Sequence, residues 1–168
     1  MDPLTSAYIV GAALLIATPS LIFFGWLSDQ IGRKPVILGG MLFAAITYYP
    51  LYLWLGTVTQ PGNINYPIAI FIIFILVCYV GMVYGPVGAF LAEYFPGRIR
   101  YTSVSVPYHI GNGWFGGFLP LIASAIVART GDTYSWLLYP IAVLVMSVIV
   151  GTLFIDESFR NRIWKEVE

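Results

Sequence analysis

Charge is absent from two long stretches of this 168-residue chain, residues 3–28 and residues 35–92. A soluble domain could not go so far without it, since about a quarter of the residues in such domains are charged. Here the charged share is 10%, hydrophobic residues make up 59%, and mean hydropathy is +0.84. A helix needs about 20 apolar residues to cross the hydrocarbon core of a bilayer. Five segments have that length and character: 7–27, 36–55, 66–91, 103–127 and 135–155, followed by a polar tail at 156–168. Turn-forming residues separate them, at Gly32 and Pro35, Gln60-Pro61-Gly62-Asn63, Phe95-Pro96-Gly97 and Thr130-Gly131-Asp132. Every backbone polar group in lipid must be bonded within its own segment, so apolar runs of this length are helices. The sequence therefore reads as an all-α, polytopic helical membrane protein in contact with a lipid bilayer.

The basic residues orient it. If the spans alternate sides, Arg33, Lys34, Arg98, Arg100, Arg160, Arg162 and Lys165 share one side, and Arg129 lies on the other. Basic residues collect on the cytoplasmic face. The 25–35 loop, the 93–102 loop and the tail are thus expected inside the cell, and the N-terminus outside. Aromatic residues near the boundaries agree, with Trp54, Tyr66, Tyr134 and Trp136 toward the outer face and Trp26, Tyr94 and Tyr101 toward the inner one.

Two charged clusters interrupt the apolar pattern on the cytoplasmic side. Asp29 lies four residues before Arg33, and Glu93 seven before Arg100. Arg33 can reach Glu93 at the end of the third span, and Arg100 can close the network. Ion pairs there would latch helix ends in one conformation and release them in another, as a gate requires. The plainer alternative is that these charges only fix topology.

Within the spans, His109 is the single histidine, the side chain that titrates nearest neutrality. With Gly113, Gly116, Pro120 and Ser124 it forms a small, polar stripe at helical spacing, flanked by Asn112 and Gly117. Such a face either lines a water-filled path or packs against another helix. In the third span, Cys78, Gly81, Gly85 and Gly88 make a comparable seam, and Gly81-x-x-x-Gly85 reads as close helix packing. Tyr84 and Tyr79 could present hydroxyls to a solute. Pro50, Pro86, Pro107, Pro120 and Pro140 are expected to bend their helices.

The motif Gly25-x-Leu27-Ser28-Asp29-x-x-Gly32-Arg33-Lys34-Pro35 resembles, at every defined position, the loop motif of the major facilitator transporters. Glu93 and Arg100, six residues between them, look like the E-x6-R element of sugar porters and their relatives. Asp156-Glu157-Ser158-x-Arg160 loosely resembles the P-E-[ST]-x-[RK] ending of a half-transporter, without its proline. The stretch from Ala92-Glu93-Tyr94-Phe95-Pro96 through Arg100-Tyr101-Thr102-Ser103 is similar to a loop of the metabolite:proton symporter family. Gly111-x-Gly113-x-x-Gly116-Gly117 and Tyr139-Pro140 fit that family too.

The resemblance implies helices eight to twelve of a twelve-helix fold, that is, part of a C-terminal transmembrane domain, with the seventh helix and the whole N-terminal half missing. Its implied activity is proton-coupled symport of small organic acids or zwitterionic solutes across the bacterial inner membrane, by alternating access. Alternatives are a sugar-porter-like carrier and a non-transporting truncated membrane protein acting through a partner. The gating residues it implies are Gly25, Asp29, Gly32, Arg33, Lys34, Glu93, Arg98 and Arg100. His109, Asn112 and Tyr84 are the candidates for the solute or proton path. The expected partners are a small solute, protons and the missing half, with no nucleic acid. No catalytic residue, metal or cofactor is expected: the sequence has no phosphate-binding loop, no H-E-x-x-H and no G-x-S-x-G, and Cys78 stands alone.

Overall fold

A computed structural model describes residues 3–60, 62–96 and 98–155. The expected tail at 156–168, and with it the Asp156-to-Arg160 motif, Arg162 and Lys165, lies outside the described residues, as do Pro61 and Gly97. The chain forms α1 (Pro3–Ile31), α2 (Arg33–Val58), α3 (Tyr66–Tyr94), α4 (Arg100–Ile110), a π-helical segment (Gly111–Gly116), α5 (Leu119–Thr130), a 3-10 turn (Ser135–Leu137) and α6 (Leu138–Phe154). Among the described residues, five helical stretches are long and apolar enough to cross a membrane, the fourth being the run from α4 to α5. Large apolar side chains point outward along them, with Leu15 78% and Ile22 77% exposed. Water would not tolerate so continuous an apolar exterior, whereas lipid does.

The segment expected as a loop at 25–35 is almost wholly helical. α1 continues through Asp29 to Ile31, and α2 starts at Arg33, so a single residue forms the corner. Gly32 has φ 108° and ψ 155°, a backbone region essentially restricted to glycine. The α2–α3 connection is looser. There Asn65 Oδ1 accepts from the Ile68 N–H at 3.4 Å, capping α3 ahead of Pro67.

Helices α1 and α3 form the tightest pair, and glycine is the reason. A Cβ on Gly85 would stand 2.7 Å from the Leu21 carbonyl oxygen and 3.0 Å from the Gly25 nitrogen. One on Gly81 would stand 2.7 Å from Ser20 Oγ. The seam read from Gly81 and Gly85 is thus a backbone-to-backbone approach. α2 packs on α3 and on α6, where Gly40 faces Met82 and Gly151 faces Leu38. The few fully buried apolar residues, among them Ala13, Ala17, Ala44 and Ile72, are mostly small and lie along these contacts.

Two expectations about the later spans need correction. Pro120 and Pro140 do not bend their helices mid-course; they sit in the first turns of α5 and α6. A missing N–H is harmless there, because that group has no partner within the helix. The fourth span is not one regular helix either. Its π segment changes the register partway, which turns the Pro120–Ser124 part of the expected stripe about 100° away from the His109 part.

Candidate functional site

Four chain segments meet at the charged end of the bundle: the end of α1, the start of α2, the end of α3 and the end of α6. Arg33, first in α2, lies four residues after Asp29 and pairs with it across the Gly32 corner. It also reaches Glu93 in the last turn of α3, with Nη2 donating to Oε1 at 2.9 Å and Nε to Oε2 at 3.4 Å. This is the planar, two-point geometry that guanidinium and carboxylate share. The Arg33 side chain is 14% exposed, Glu93 26% and Asp29 54%. The Arg33–Glu93 bond is therefore the sheltered one, and the Asp29 pair is open to screening by water.

Ser28 completes the cluster. Its hydroxyl donates to the Gly25 carbonyl at 2.6 Å and accepts from Arg33 Nη1 at 2.7 Å, and the residue is buried. The serine of the loop motif is thus part of the network, a role its spacing alone did not reveal.

Lys34 takes a different direction from Arg33. Its Nζ donates to the Thr152 carbonyl at 3.1 Å and to the Ile155 carbonyl at 2.6 Å. These are the last carbonyls of α6, which lack partners within their own helix. A cation there also faces the negative end of the helix dipole. One dipeptide thus ties α2 to α3 through Arg33 and to α6 through Lys34. Beyond Lys34, a cavity of about 310 Å³ lies between α2, α3 and α6.

The other candidates at this end stand apart. Arg100 opens α4 and donates from Nε to the Phe95 carbonyl at 3.3 Å; it does not close the Arg33–Glu93 network, because it points back onto its own turn. Arg98 is exposed in the turn before it. Gly25 lies in the α1–α3 seam, where a Cβ would make ordinary contact with the Gly85 carbonyl at 3.7 Å.

Toward the middle of the bundle, Tyr84 of α3 donates to Asn112 Oδ1 of the π segment at 3.4 Å. Together with Val83, Val87, Tyr108 and Gly111 they line a cavity of about 220 Å³. Its wall offers phenols, an amide and aromatic faces, and no charged side chain among the described residues. Such a wall can hydrogen-bond a carboxylate and can face a quaternary ammonium with aromatic rings.

His109 is not in this cavity. It is exposed, and its Nδ1 lies 2.8 Å from the Ser105 carbonyl one turn back. Among the described residues nothing packs on the glycines of its stripe: a Cβ on Gly113 or Gly116 would meet nothing within 4 Å.

The sequence profile of the Major Facilitator Superfamily matches residues 1–166. Among curated proteins, the chain is similar to a putative proline/betaine transporter of Staphylococcus aureus, 30% identical over 156 residues, covering 90% of this chain and 31% of the relative. It is also similar to the citrate-proton symporter of Salmonella typhi, 32% identical over 140 residues, covering 82% of this chain and 30% of that protein. The citrate-proton symporter of Klebsiella pneumoniae is 29% identical over 125 residues, 73% of this chain. The chain thus spans about a third of the length of these relatives. No solved structure matches it.

Proposed function

The chain belongs to the Major Facilitator Superfamily, and on that premise we propose that its five spans form one wall of a secondary transporter. The transporter carries a small organic acid or zwitterion with protons, by alternating access between two helix sets. The observation that carries this reading is the Asp29–Arg33–Glu93 cluster, which joins the ends of α1, α2 and α3 by bonds that rearrangement can break and re-form. In this reading the cluster lies on the cytoplasmic side of the inner membrane, with Arg33, Lys34, Arg98 and Arg100 facing inward as the distribution of basic residues requires.

The Tyr84–Asn112 cavity is the proposed solute-facing surface. Its uncharged lining suits a zwitterion such as proline or betaine, whose own charges compensate one another, better than a polyanion such as citrate. The names of the relatives support both solutes, and the chemistry of the wall favours the first.

The test is uptake of labelled proline, betaine and citrate into vesicles, with and without an imposed pH gradient. The 168-residue chain alone is compared with the same chain joined to the first seven helices of a relative, so that its first span keeps its expected orientation. Gradient-driven uptake in the joined form, with proline or betaine ahead of citrate, is the expected result. Absence of gradient-driven uptake in both forms, with the joined protein folded in the membrane, would overturn the proposal.

A further inference from the structure

The π segment between α4 and α5 is held from two sides. Its ring closure is direct: the Gly117 N–H lies 2.9 Å from the Asn112 carbonyl, five residues back, and 3.1 Å from the Gly113 carbonyl, four back. The same N–H therefore sits between a π and an α partner. On one side, Tyr139 Oη of α6 donates to the Phe115 carbonyl at 3.3 Å. On the other, Tyr84 of α3 bonds the Asn112 side chain. Apart from these contacts the segment is open, and a Cβ at Gly111, Gly113 or Gly116 would meet nothing within 4 Å. No residue of the segment or of α5 is buried.

A π turn accommodates one residue more than an α turn. If Gly111–Gly116 closes to α geometry while α5 stays in place, α4 turns back by one residue position, about 100° and 1.5 Å. Each residue of α4 then takes the direction its predecessor has now. Tyr108 presently lines the cavity with Tyr84 and Asn112, while His109 is exposed on another face. After the shift His109 occupies the place of Tyr108.

We infer that Gly111–Gly116 is a register switch, held in the π form by the hydroxyls of Tyr139 and Tyr84, which exchanges Tyr108 for His109 at the wall of the Tyr84–Asn112 cavity. The glycines give both forms room, and the bond from α6 ties the register to the position of α6. The inference does not rest on the transport reading, since it concerns the fourth span alone.

Disulfide trapping in the full 168-residue chain, in lipid nanodiscs, reads the register directly. In a Cys78→Ser background, Val87→Cys is combined with either Tyr108→Cys or His109→Cys. Val87 lines the cavity wall opposite. The chain with native Tyr139 should cross-link faster through position 108 and detectably through 109. Tyr139→Phe should raise the 109-to-108 ratio about fivefold, the factor equivalent to one hydrogen bond of about 1 kcal/mol. Deleting Gly113 removes the extra residue, so it should fix the present register and abolish the 109 cross-link alone. A 109-to-108 ratio unchanged by Tyr139→Phe would overturn the inference, as would a 109 cross-link that persists in a folded Gly113 deletion. If the deletion does not fold, the Tyr139→Phe ratio still decides.

Discussion

Removing the Arg33–Glu93 bond separates a structural latch from charges that only set orientation. Arg33 makes two charge-assisted bonds to Glu93, at 2.9 and 3.4 Å. A hydrogen bond to a charged group contributes about 1.5–3 kcal/mol when sheltered, and an exposed ion pair about 0–1 kcal/mol. With side chains 14% and 26% exposed, this pair falls between those limits, and a coupling of about 2 kcal/mol is expected. The Asp29 pair spans the Gly32 corner and its carboxylate is 54% exposed, so its coupling should be about 0.2–1 kcal/mol, that of an exposed ion pair. Two double-mutant cycles measure both, using Arg33→Met with Glu93→Gln and with Asp29→Asn. Equilibrium unfolding in mixed micelles, followed by tryptophan fluorescence, supplies the free energies. Raising the salt concentration should erase most of the Asp29 coupling and little of the Glu93 coupling. A Glu93 coupling no larger than that of Asp29 would refute the latch.

Gly85→Ala should destabilise the fold by about 1–3 kcal/mol, because the new methyl meets the backbone of Leu21 and Gly25 rather than a side chain that can move. Gly88→Ala, one turn on and open within 4 Å, should stay within about 0.5 kcal/mol in the same unfolding assay; equal effects would contradict the close approach. Lys34→Met should loosen the end of α6, whose last carbonyls it holds. Amide exchange near Thr152 should then quicken about two- to fivefold, in line with about 0.3–1 kcal/mol for a cation at a helix C-terminus, and no change in exchange would rule the contact out.

The fold class was legible because it depends on length and apolarity, and five uncharged runs leave lipid as the solvent for these helices. Arg33, Asp29 and Glu93 were legible because charges at the ends of adjacent spans have few places to go. Lys34 shows where such reasoning stops: its partners are the carbonyls of Thr152 and Ile155, and backbone atoms carry no mark in a sequence. Arg100 carried the right charge at the right spacing yet turned to Phe95, since a residue seven positions from Glu93 across a turn can face either way. The stripe through His109 assumed an unbroken 3.6-residue period. One π turn at Gly111–Gly116 defeats that assumption, and glycine spacing alone does not announce it.

The corner at Gly32 makes α2 a lever. At 1.5 Å per residue, a helix of 26 residues is about 39 Å long. A pivot of about 5° at its hinge carries the far tip about 3 Å at that length. That tip is closely fitted: a Cβ at Gly56 would overlap Tyr134 Oη, and the Tyr52 and Trp136 rings meet edge to face with centroids 5.4 Å apart. At Tyr52, 19 residues from Arg33, the same pivot is a displacement of about 2.5 Å, enough to part those rings. A pivot of a few degrees beside Arg33 would in that way open or close an aromatic clasp at the far end of the bundle.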